Sequence, residues 1–204
     1  CGTVADLFKM NEDNVDNAIN GGNGSDTISY EYYVSSGVKV NLSTALSQIV
    51  VAGTDNDVDT LTNIENISGS TQDDTLIGSS VNNSILGNAG NDTFIAGTDT
   101  NNDGTLDTWA NDGNDYFDGG SGTGDWVDYS VIGDDATLGT NGISLTLDGA
   151  NTAIVTVRGG TSDSLLNVEN VSGTQDSDSI KGDSQNNTIY GNAAKDNILK
   201  GLGG

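Results

Sequence analysis

Hydrophobic residues in this chain recur at intervals of nine, and the residues between them are those that favour turns. From Gly69 onward, three consecutive blocks each begin with glycine and close with a hydrophobic pair: Leu76 and Ile77, Ile85 and Leu86, Phe94 and Ile95. The rest of each block is rich in Gly, Asn, Asp and Ser, which favour tight turns and weaken helix interiors. Each block therefore predicts a turn followed by a short strand with one inward-facing side chain.

Blocks of this length occur in both halves of the chain. They begin at Glu12, Gly21, Gly69, Gly78, Gly87, Ala110, Gly119, Gly173, Gly182 and Gly191. Between them, the segments GVKVNL (from Gly37), ISLTL and AIVTV alternate hydrophobic and polar residues, which predicts half-buried strands. The pair Leu7 and Phe8 is assigned to a short helix or a capping turn.

A longer repeat divides the chain into two units. The segment from Asn63 to Gly97 aligns without gaps with the segment from Asn167 to Gly201, and nearly half of the aligned residues are identical. We interpret this as a tandem duplication. It predicts one unit at residues 1–97, a connector at residues 98–112 and a second unit at residues 113–204. Because the chain stops within a repeat, we expect a fragment of a longer protein.

One block carries a specific resemblance. The sequence GGNGSDTIS at Gly21 matches the nonapeptide G-G-x-G-x-D-x-U-x at every defined position, U being a large hydrophobic residue. The chain here resembles the RTX family, whose repeats occur in proteins exported by bacterial type I secretion. The resemblance implies an all-β fold, a parallel β-roll or β-solenoid with two blocks per coil, here as two tandem units with short accessory strands. It also implies calcium between stacked turns, held by the sixth-position Asp and by backbone carbonyls.

Oxygen-bearing residues of the blocks are the first set of candidate calcium ligands, since calcium prefers carboxylate and carbonyl oxygens. The predicted ligands are Gly21, Asn23, Asp26, Asp74, Asn88, Asp92, Asp115, Asp125, Asp178 and Asp196. The second glycine of the motif is replaced in several blocks, for example by Ser70, Asn88 and Asp183. We therefore expect calcium occupancy to vary from turn to turn.

The sixth position alternates between carboxylate and amide. It holds Asp74, Asn83 and Asp92 in the first unit, and the same order recurs at Asp178, Asn187 and Asp196; the first two blocks hold Asn17 and Asp26. If two blocks make a coil, alternate blocks stack on the same edge. This predicts a one-sided roll, with calcium on an Asp edge and with Asn side chains bonding turn backbone on the other. The alternative is a chance interchange of Asn and Asp in turns.

The connector carries a second candidate calcium motif. Asp99, Asn101, Asp103 and Asp107 occupy the first, third, fifth and ninth positions of an EF-hand-type loop, with Gly104 at the sixth. The twelfth position is Ala110 instead of Glu, and no flanking helices are evident. The segment thus resembles the DxDxDG loops that bind calcium outside EF-hands. The alternative is an acidic, solvated loop.

Charge and composition narrow the function. The chain has 30 acidic and 6 basic residues, a net charge of −24, which argues against nucleic acid or anionic lipid as partners. With no His and one Cys, it has neither a disulfide framework nor a Cys/His zinc site. No apolar run is long enough for a membrane-spanning segment. Carboxylate pairs are too common to mark a glycosidase site, and no nucleophile motif occurs, so we expect no enzymatic activity.

These observations predict a calcium-binding structural module of an extracellular or cell-surface bacterial protein. Calcium-poor cytoplasm would leave the acidic chain unfolded for secretion, and about six to eight calcium ions would fold it outside. The duplication suggests an adhesin, a surface layer or a filament, with copies of itself or adjoining repeats as partners. One alternative is an accessory module of a secreted protease, lipase or epimerase. Another is a carbohydrate-binding module, with a platform formed by Tyr30, Tyr32, Tyr33, Trp126 and Tyr129.

Overall fold

The computed structural model describes residues 3–13, 15–43, 58–97, 113–132, 142–157, 161–192 and 198–201. These residues form eighteen short strands and no helix. The strands are β1 (Leu7–Lys9), β2 (Ala18–Asn20), β3 (Thr27–Ser29), β4 (Lys39–Asn41), β5 (Thr60–Thr62), β6 (Asn66–Ser68), β7 (Thr75–Ile77), β8 (Ser84–Leu86), β9 (Thr93–Ile95), β10 (Tyr116–Asp118), β11 (Trp126–Asp128), β12 (Ser144–Thr146), β13 (Ala153–Thr156), β14 (Ser162–Leu166), β15 (Asn170–Ser172), β16 (Ser179–Lys181), β17 (Ile189–Tyr190) and β18 (Ile198–Lys200). The expected all-β class is confirmed, and Leu7 and Phe8 lie in a strand, not in a helix or capping turn.

The strands form two large sheets and one small one within the described residues. The ten-stranded sheet has the order β1-β3-β6-β8-β10-β14-β13-β12-β16-β18, and the six-stranded sheet the order β17-β15-β11-β9-β7-β4. A separate pair joins β2 to β5. Strands next to one another in the chain alternate between the sheets: β6 and β8 belong to the larger sheet, and β7 and β9 to the smaller. Two blocks therefore make one coil of a β-roll, as predicted.

Stacking is parallel and in register between coils. Thr75 pairs with Thr93, and Ile67 with Ile85, so each residue lies over the one a full coil later. The register continues across the connector, since β8 pairs with β10 and β9 with β11. Strands from both predicted units thus share the same two sheets, while the connector itself lies outside the described residues.

The core lies between the two sheets and is built from the hydrophobic position of each block. Ile28, Leu76, Ile85 and Phe94 are fully buried. Phe94 and Phe117 come from different sheets and pack with ring centroids 5.4 Å apart. The large apolar side chains compensate for the brevity of the strands, because burial of each stabilises the roll by about 1.5–3 kcal/mol.

The accessory strands are present, and one of them, β13, runs antiparallel to its neighbours. In the second unit, β13 runs antiparallel to both β12 and β14 and lies between them in the larger sheet. Its buried residues alternate with exposed ones: Val155 is inside, and Ile154 is 55% exposed. In the first unit, β4 has the predicted alternation, with Val38, Val40 and Leu42 buried. The alternating segments are therefore half-buried strands, as expected.

Candidate metal sites

Carboxylates form a hydrogen-bonded column along the edge of each sheet. Just before each strand, a backbone N–H donates to the side chain at the same position of the next coil. Beside the six-stranded sheet, Asp74 N donates to Asp92 Oδ1 (2.9 Å) and Asp92 N to Asp125 Oδ1 (2.7 Å). Asp125 N in turn donates to Glu169 Oε2 (2.9 Å). Oδ1 of Asp92 and of Asp125 is thereby fixed, and Oδ2 of each lies beside the first glycine of its own turn.

A similar column runs beside the ten-stranded sheet. Asp26 N donates to Glu65 Oε2 (2.8 Å), and Asp115 N donates to Asp163 Oδ1 (3.0 Å). Asn83 lies between these pairs, and its N–H donates to Asp115 Oδ1 (2.8 Å). Both edges of the roll therefore present rows of acidic side chains at the level of the turns.

Three of the predicted ligands are left with an unpaired oxygen. Oδ2 of Asp26, Asp92 and Asp125 is buried and has no hydrogen-bond partner among the described residues. All three residues are fully buried. A buried carboxylate oxygen without a donor costs several kcal/mol unless a cation or a proton satisfies it. These three atoms are the clearest sign of metal sites in the roll.

Backbone carbonyls converge on the same places. In the three turns with an unpaired oxygen, a Cβ on the first glycine would collide with the carboxylate and with a carbonyl of the next coil. At Gly21 these groups are Asp26 Oδ2 and Asn63 O; at Gly87 they are Asp92 Oδ2 and Gly119 O. Asp125 Oδ2 and Asn167 O meet in the same way at Gly119.

This donor set suits calcium. The described residues contain no group of three or more His, Cys, Asp or Glu side chains that could hold a metal. Carbonyls must therefore supply much of the coordination, which is common for calcium and unusual for zinc. Calcium fits turns that offer one carboxylate oxygen together with neighbouring carbonyl oxygens.

Two other predicted ligands are satisfied without metal. Ser70 N donates to Asp74 Oδ2 (2.6 Å), and Ser70 Oγ donates to Asp74 Oδ1 (2.7 Å). Thr174 makes the same pair of bonds to Asp178, at 3.0 and 2.9 Å. The hydroxyl residue that replaces the second glycine of the motif thus closes the turn on its own Asp. Variation of calcium occupancy between turns stays a prediction, and these hydrogen bonds give it a physical basis.

The Asn turns are also closed. Asn83 Oδ1 accepts Ser79 N (2.6 Å), and its Nδ2 donates to Glu65 O (2.6 Å). Asn187 makes the same contacts with Asp183 N and Glu169 O, both at 2.9 Å. The amide N–H occupies a carbonyl oxygen that a cation would otherwise use. The predicted bonding of Asn side chains to turn backbone is confirmed.

The predicted one-sided roll is nevertheless wrong for the chain as a whole. Asn83 shares its edge with Asp26 and Asp115, so that edge is not an amide edge. In the second unit the sides are exchanged, because Asp178 precedes a strand of the larger sheet and Asn187 a strand of the smaller. Between the equivalent blocks of the two units, the chain passes from one sheet to the other an odd number of times, each passage being half a coil. The duplicated turn therefore lies at the opposite edge.

Burial controls the electrostatics of these carboxyls. Desolvation raises the pKa of Asp92 to about 8, although the N–H of Asp74 opposes the shift; the charges of Asp74 and Asp125 add to it. Desolvation likewise raises the pKa of Asp74 to about 6 and that of Asp125 to about 6. Without a cation, burial therefore disfavours the charged form of these three carboxyls.

The remaining predicted ligands are distributed as follows. Gly21 is buried beneath the Asp26 turn, and Asn23 is exposed on its outer side. Asn88 has a positive φ of 74° and donates through Nδ2 to Gly69 O (2.7 Å), so its amide nitrogen supports the Asp74 turn. Asp115 is buried in its column. The connector ligands Asp99, Asn101, Asp103 and Asp107, together with Asp196, lie outside the described residues.

Two buried acid–tyrosine pairs were not predicted. Tyr129 OH donates to Asp163 Oδ2 (2.8 Å), and Tyr30 OH donates to Asp59 Oδ2 (3.4 Å). The partners are distant in sequence: β4 lies between Tyr30 and Asp59, and β12 and β13 lie between Tyr129 and Asp163. The recurrence of the same Asp and Tyr in both units was the signal that could have identified them.

The proposed aromatic platform is contradicted. Tyr30, Tyr33 and Tyr129 are buried in the core and are not available to a sugar. Tyr32 is 52% exposed but lies apart from Trp126, whose ring stacks on Tyr190 with centroids 5.4 Å apart. The five aromatic residues therefore do not form one surface.

The fold and the turns together define a calcium-binding β-roll. Comparison with protein-family models identifies four copies of the RTX calcium-binding nonapeptide repeat, at residues 14–30, 68–102, 109–124 and 172–204. The chain therefore carries RTX repeats, which confirms the family that its blocks suggested, and calcium is the ion of these repeats. A comparison with the curated proteins found no match. In the part of the chain that the structure describes, no helix is long and apolar enough to cross a bilayer.

Proposed function

We propose that this chain is a structural module of a secreted bacterial protein that folds when calcium fills its open turns. The observation that carries the proposal is the buried, unpaired Oδ2 of Asp26, Asp92 and Asp125. Each of these oxygens faces a carbonyl oxygen across a glycine. RTX repeats are characteristic of proteins exported by type I secretion, which supports an extracellular or cell-surface location.

The charges and the turn geometry of the chain determine its response to calcium in this mechanism. The columns bring like charges together coil by coil, and the net charge of −24 adds a general repulsion. Calcium bound at the open turns would supply positive charge and accept the carboxylate and carbonyl oxygens as ligands. Asp26, Asp92 and Asp125 would hold the ion with Oδ2, while Oδ1 of each keeps its bond from an N–H of the preceding coil. Because the unfolded chain lacks these preformed turns, binding energy becomes folding energy.

Calcium titration tests this function. We expect the full chain to be largely unfolded by circular dichroism at neutral pH in excess chelator. Addition of calcium should restore the β signal and bury Trp126, with a matching change in its fluorescence. Magnesium, which requires a smaller and more regular octahedral site, should not replace calcium at similar concentration. A chain that is fully folded in chelator at pH 7.5 would refute the proposal.

We further propose that the module serves as a stalk in an adhesin, a filament or a surface layer, and not as a catalytic unit. The parallel register of both sheets continues from the first unit into the second, where β8 pairs with β10 and β9 with β11, which supports extension by further coils. The outermost strands of the larger sheet, β1 and β18, offer edges for such pairing. Analytical ultracentrifugation in calcium would detect self-association, and a monomer at high concentration would favour adjoining repeats of a parent chain.

A further inference from the structure

We propose that Asp183 forms an additional calcium site outside the nonapeptide pattern, in the second unit. Asp183 occupies the second position of its block, where the motif has glycine, so the repeat does not assign it as a ligand. Its Oδ2 is nevertheless buried and without a hydrogen-bond partner among the described residues. The same property marks Asp26, Asp92 and Asp125 in the nonapeptide turns.

The carboxylate is held in place for ligation. Its Oδ1 accepts Gln185 N (2.8 Å), and the Asp183 N–H donates to Asn187 Oδ1 (2.9 Å). The residue is only 8% exposed. These bonds fix the orientation of the side chain and leave Oδ2 directed away from its own turn.

Gly149 closes the site from the other side. It lies between β12 and β13 with φ of 56°, a left-handed conformation that glycine adopts without strain. A Cβ at this position would lie 3.1 Å from Asp183 Oδ2 and 3.1 Å from Gln185 Nε2. The loop backbone thus packs closely on the carboxylate. Next to it, a groove of about 970 Å³ between β12, β13 and the Asp183 turn gives access from solvent.

The surroundings favour a cation over another ligand. Glu169 is buried nearby, and after desolvation the charge of Asp183 helps to raise its pKa. The salt bridge found in the described residues, Lys9 with Glu31, involves neither of them. Calcium takes oxygen ligands at about 2.3–2.6 Å, and the buried Oδ2 of Asp183 is an oxygen of the kind that it prefers.

The duplication supplies a neutral version of the same turn. The residue equivalent to Asp183 in the first unit is Ser79, whose N–H and hydroxyl both bond Asn83. That turn carries no extra charge and no unpaired oxygen among the described residues. The substitution Asp183→Ser therefore gives the second unit the side chain that occupies the equivalent turn of the first unit.

The test counts calcium ions on the full chain by native mass spectrometry and isothermal titration calorimetry. We expect Asp183→Ser to bind one ion fewer than wild type while keeping the calcium-loaded circular dichroism spectrum. If this variant folds poorly, Asp183→Asn, which keeps the acceptor for Gln185 N, should show the same loss. Asp148→Asn, an exposed acid in the same groove, is the matched charge control and should keep the full number of ions.

A second readout separates ligation from structure. Because removal of Asp183 relieves repulsion with Glu169, the variant should be more stable than wild type in chelator and less stable in calcium. An unchanged number of ions, or a loss of stability in both conditions, would overturn the inference. The inference rests on calcium binding by the module, yet the two fail differently. A wild-type chain that binds no calcium overturns both, whereas equal stoichiometry in wild type and variant overturns only the Asp183 site.

Discussion

The metal-free chain should gain stability as the pH falls. Burial raises the pKa of Asp92 from 3.8 to about 8, and those of Asp74 and Asp125 from 3.8 to about 6. A carboxyl whose pKa is higher in the folded state favours folding fully below its unfolded pKa, near 4. That contribution is lost as the pH rises through about 6 for two groups and about 8 for the third.

The magnitude decides whether the chain folds without metal. At pH 7, the raised pKa values correspond to about 4 kcal/mol for Asp92 and about 3 kcal/mol each for Asp74 and Asp125, all opposing folding. The turns lie at the sheet edges, close to solvent, and screening reduces such sums, so we halve the total to ~5 kcal/mol. Typical domains are stable by only about 5–15 kcal/mol. This one effect is thus large enough to unfold the chain in the absence of calcium.

Asp92→Asn isolates the effect. The amide keeps an oxygen for the Asp74 N–H but removes a buried charge. In calcium-free buffer at pH 7 we expect about 2 kcal/mol of stabilisation, after the same discount for screening, and a flatter pH dependence between pH 6 and 8. In saturating calcium the variant should be less stable than wild type, because it has lost a proposed ligand.

The assay measures the folded fraction by circular dichroism, on chain stripped of calcium with a chelating resin, from pH 5 to pH 8.5. Asp13→Asn, which removes the same charge from an exposed position, is the control for the general relief of repulsion. The lowered pKa of Glu12, which accepts bonds from Ser35 and Val34, acts in the opposite direction but is a single group. A metal-free chain that is as stable at pH 8 as at pH 5.5 would refute the reasoning. An Asp92→Asn variant no better than Asp13→Asn would do the same.

Three further substitutions probe the closed turns and the core. Asn83→Asp removes the Nδ2 bond to Glu65 O and adds a charge, so we expect a loss of about 1–3 kcal/mol without calcium and partial recovery with it, in urea unfolding. Tyr129→Phe deprives Asp163 of its 2.8 Å donor, and the urea midpoint in calcium should fall by an amount equivalent to about 1–3 kcal/mol. Phe94→Ala empties a fully buried position, and thermal unfolding should report a loss of about 3–5 kcal/mol.

The chain provides matched controls for these variants. Tyr30→Phe removes the equivalent hydroxyl, whose bond to Asp59 is longer at 3.4 Å, and should cost less than Tyr129→Phe. Val81, which is 49% exposed, can be changed to Ala with little effect, in contrast to Phe94. Equal losses for the two tyrosines would contradict the hydrogen-bond argument. Recovery of Asn83→Asp by magnesium as well as by calcium would contradict a specific turn geometry.

Local order was predictable from the amino-acid pattern. A large hydrophobic residue at the eighth position of a block, such as Leu76, can be buried in only one way when turn-forming residues flank a three-residue strand. The period of nine therefore determines the strand, its inward side chain and the pairing of each block with the second one after it. The Gly21 block likewise revealed the family and its ion, because the glycines and the Asp must coincide for the turn to close around a cation.

The state of each turn depended on contacts that spacing does not encode. Asp74 and Asp92 hold the same position in their blocks. Ser70 donates to both oxygens of Asp74, whereas Oδ2 of Asp92 has no hydrogen-bond partner among the described residues. The hydroxyl was visible in the sequence, but its direction depends on the backbone of the turn. In the sequence, Asp183 is only a replacement of glycine. The burial of its unpaired Oδ2 and the approach of Gly149 to it are properties of the tertiary structure.

By itself, the sequence determined the strand period, the all-β roll, the ion and the set of acids available to hold it. Only the tertiary structure decided which edge each acid occupies, because the side depends on how many half-coils the chain completes between equivalent blocks. That number does not follow from the period of nine, because β12, β13 and β14 follow one another within the same sheet. The result is that Asp74 and its duplicate Asp178 face opposite edges, although the two blocks are copies of one another.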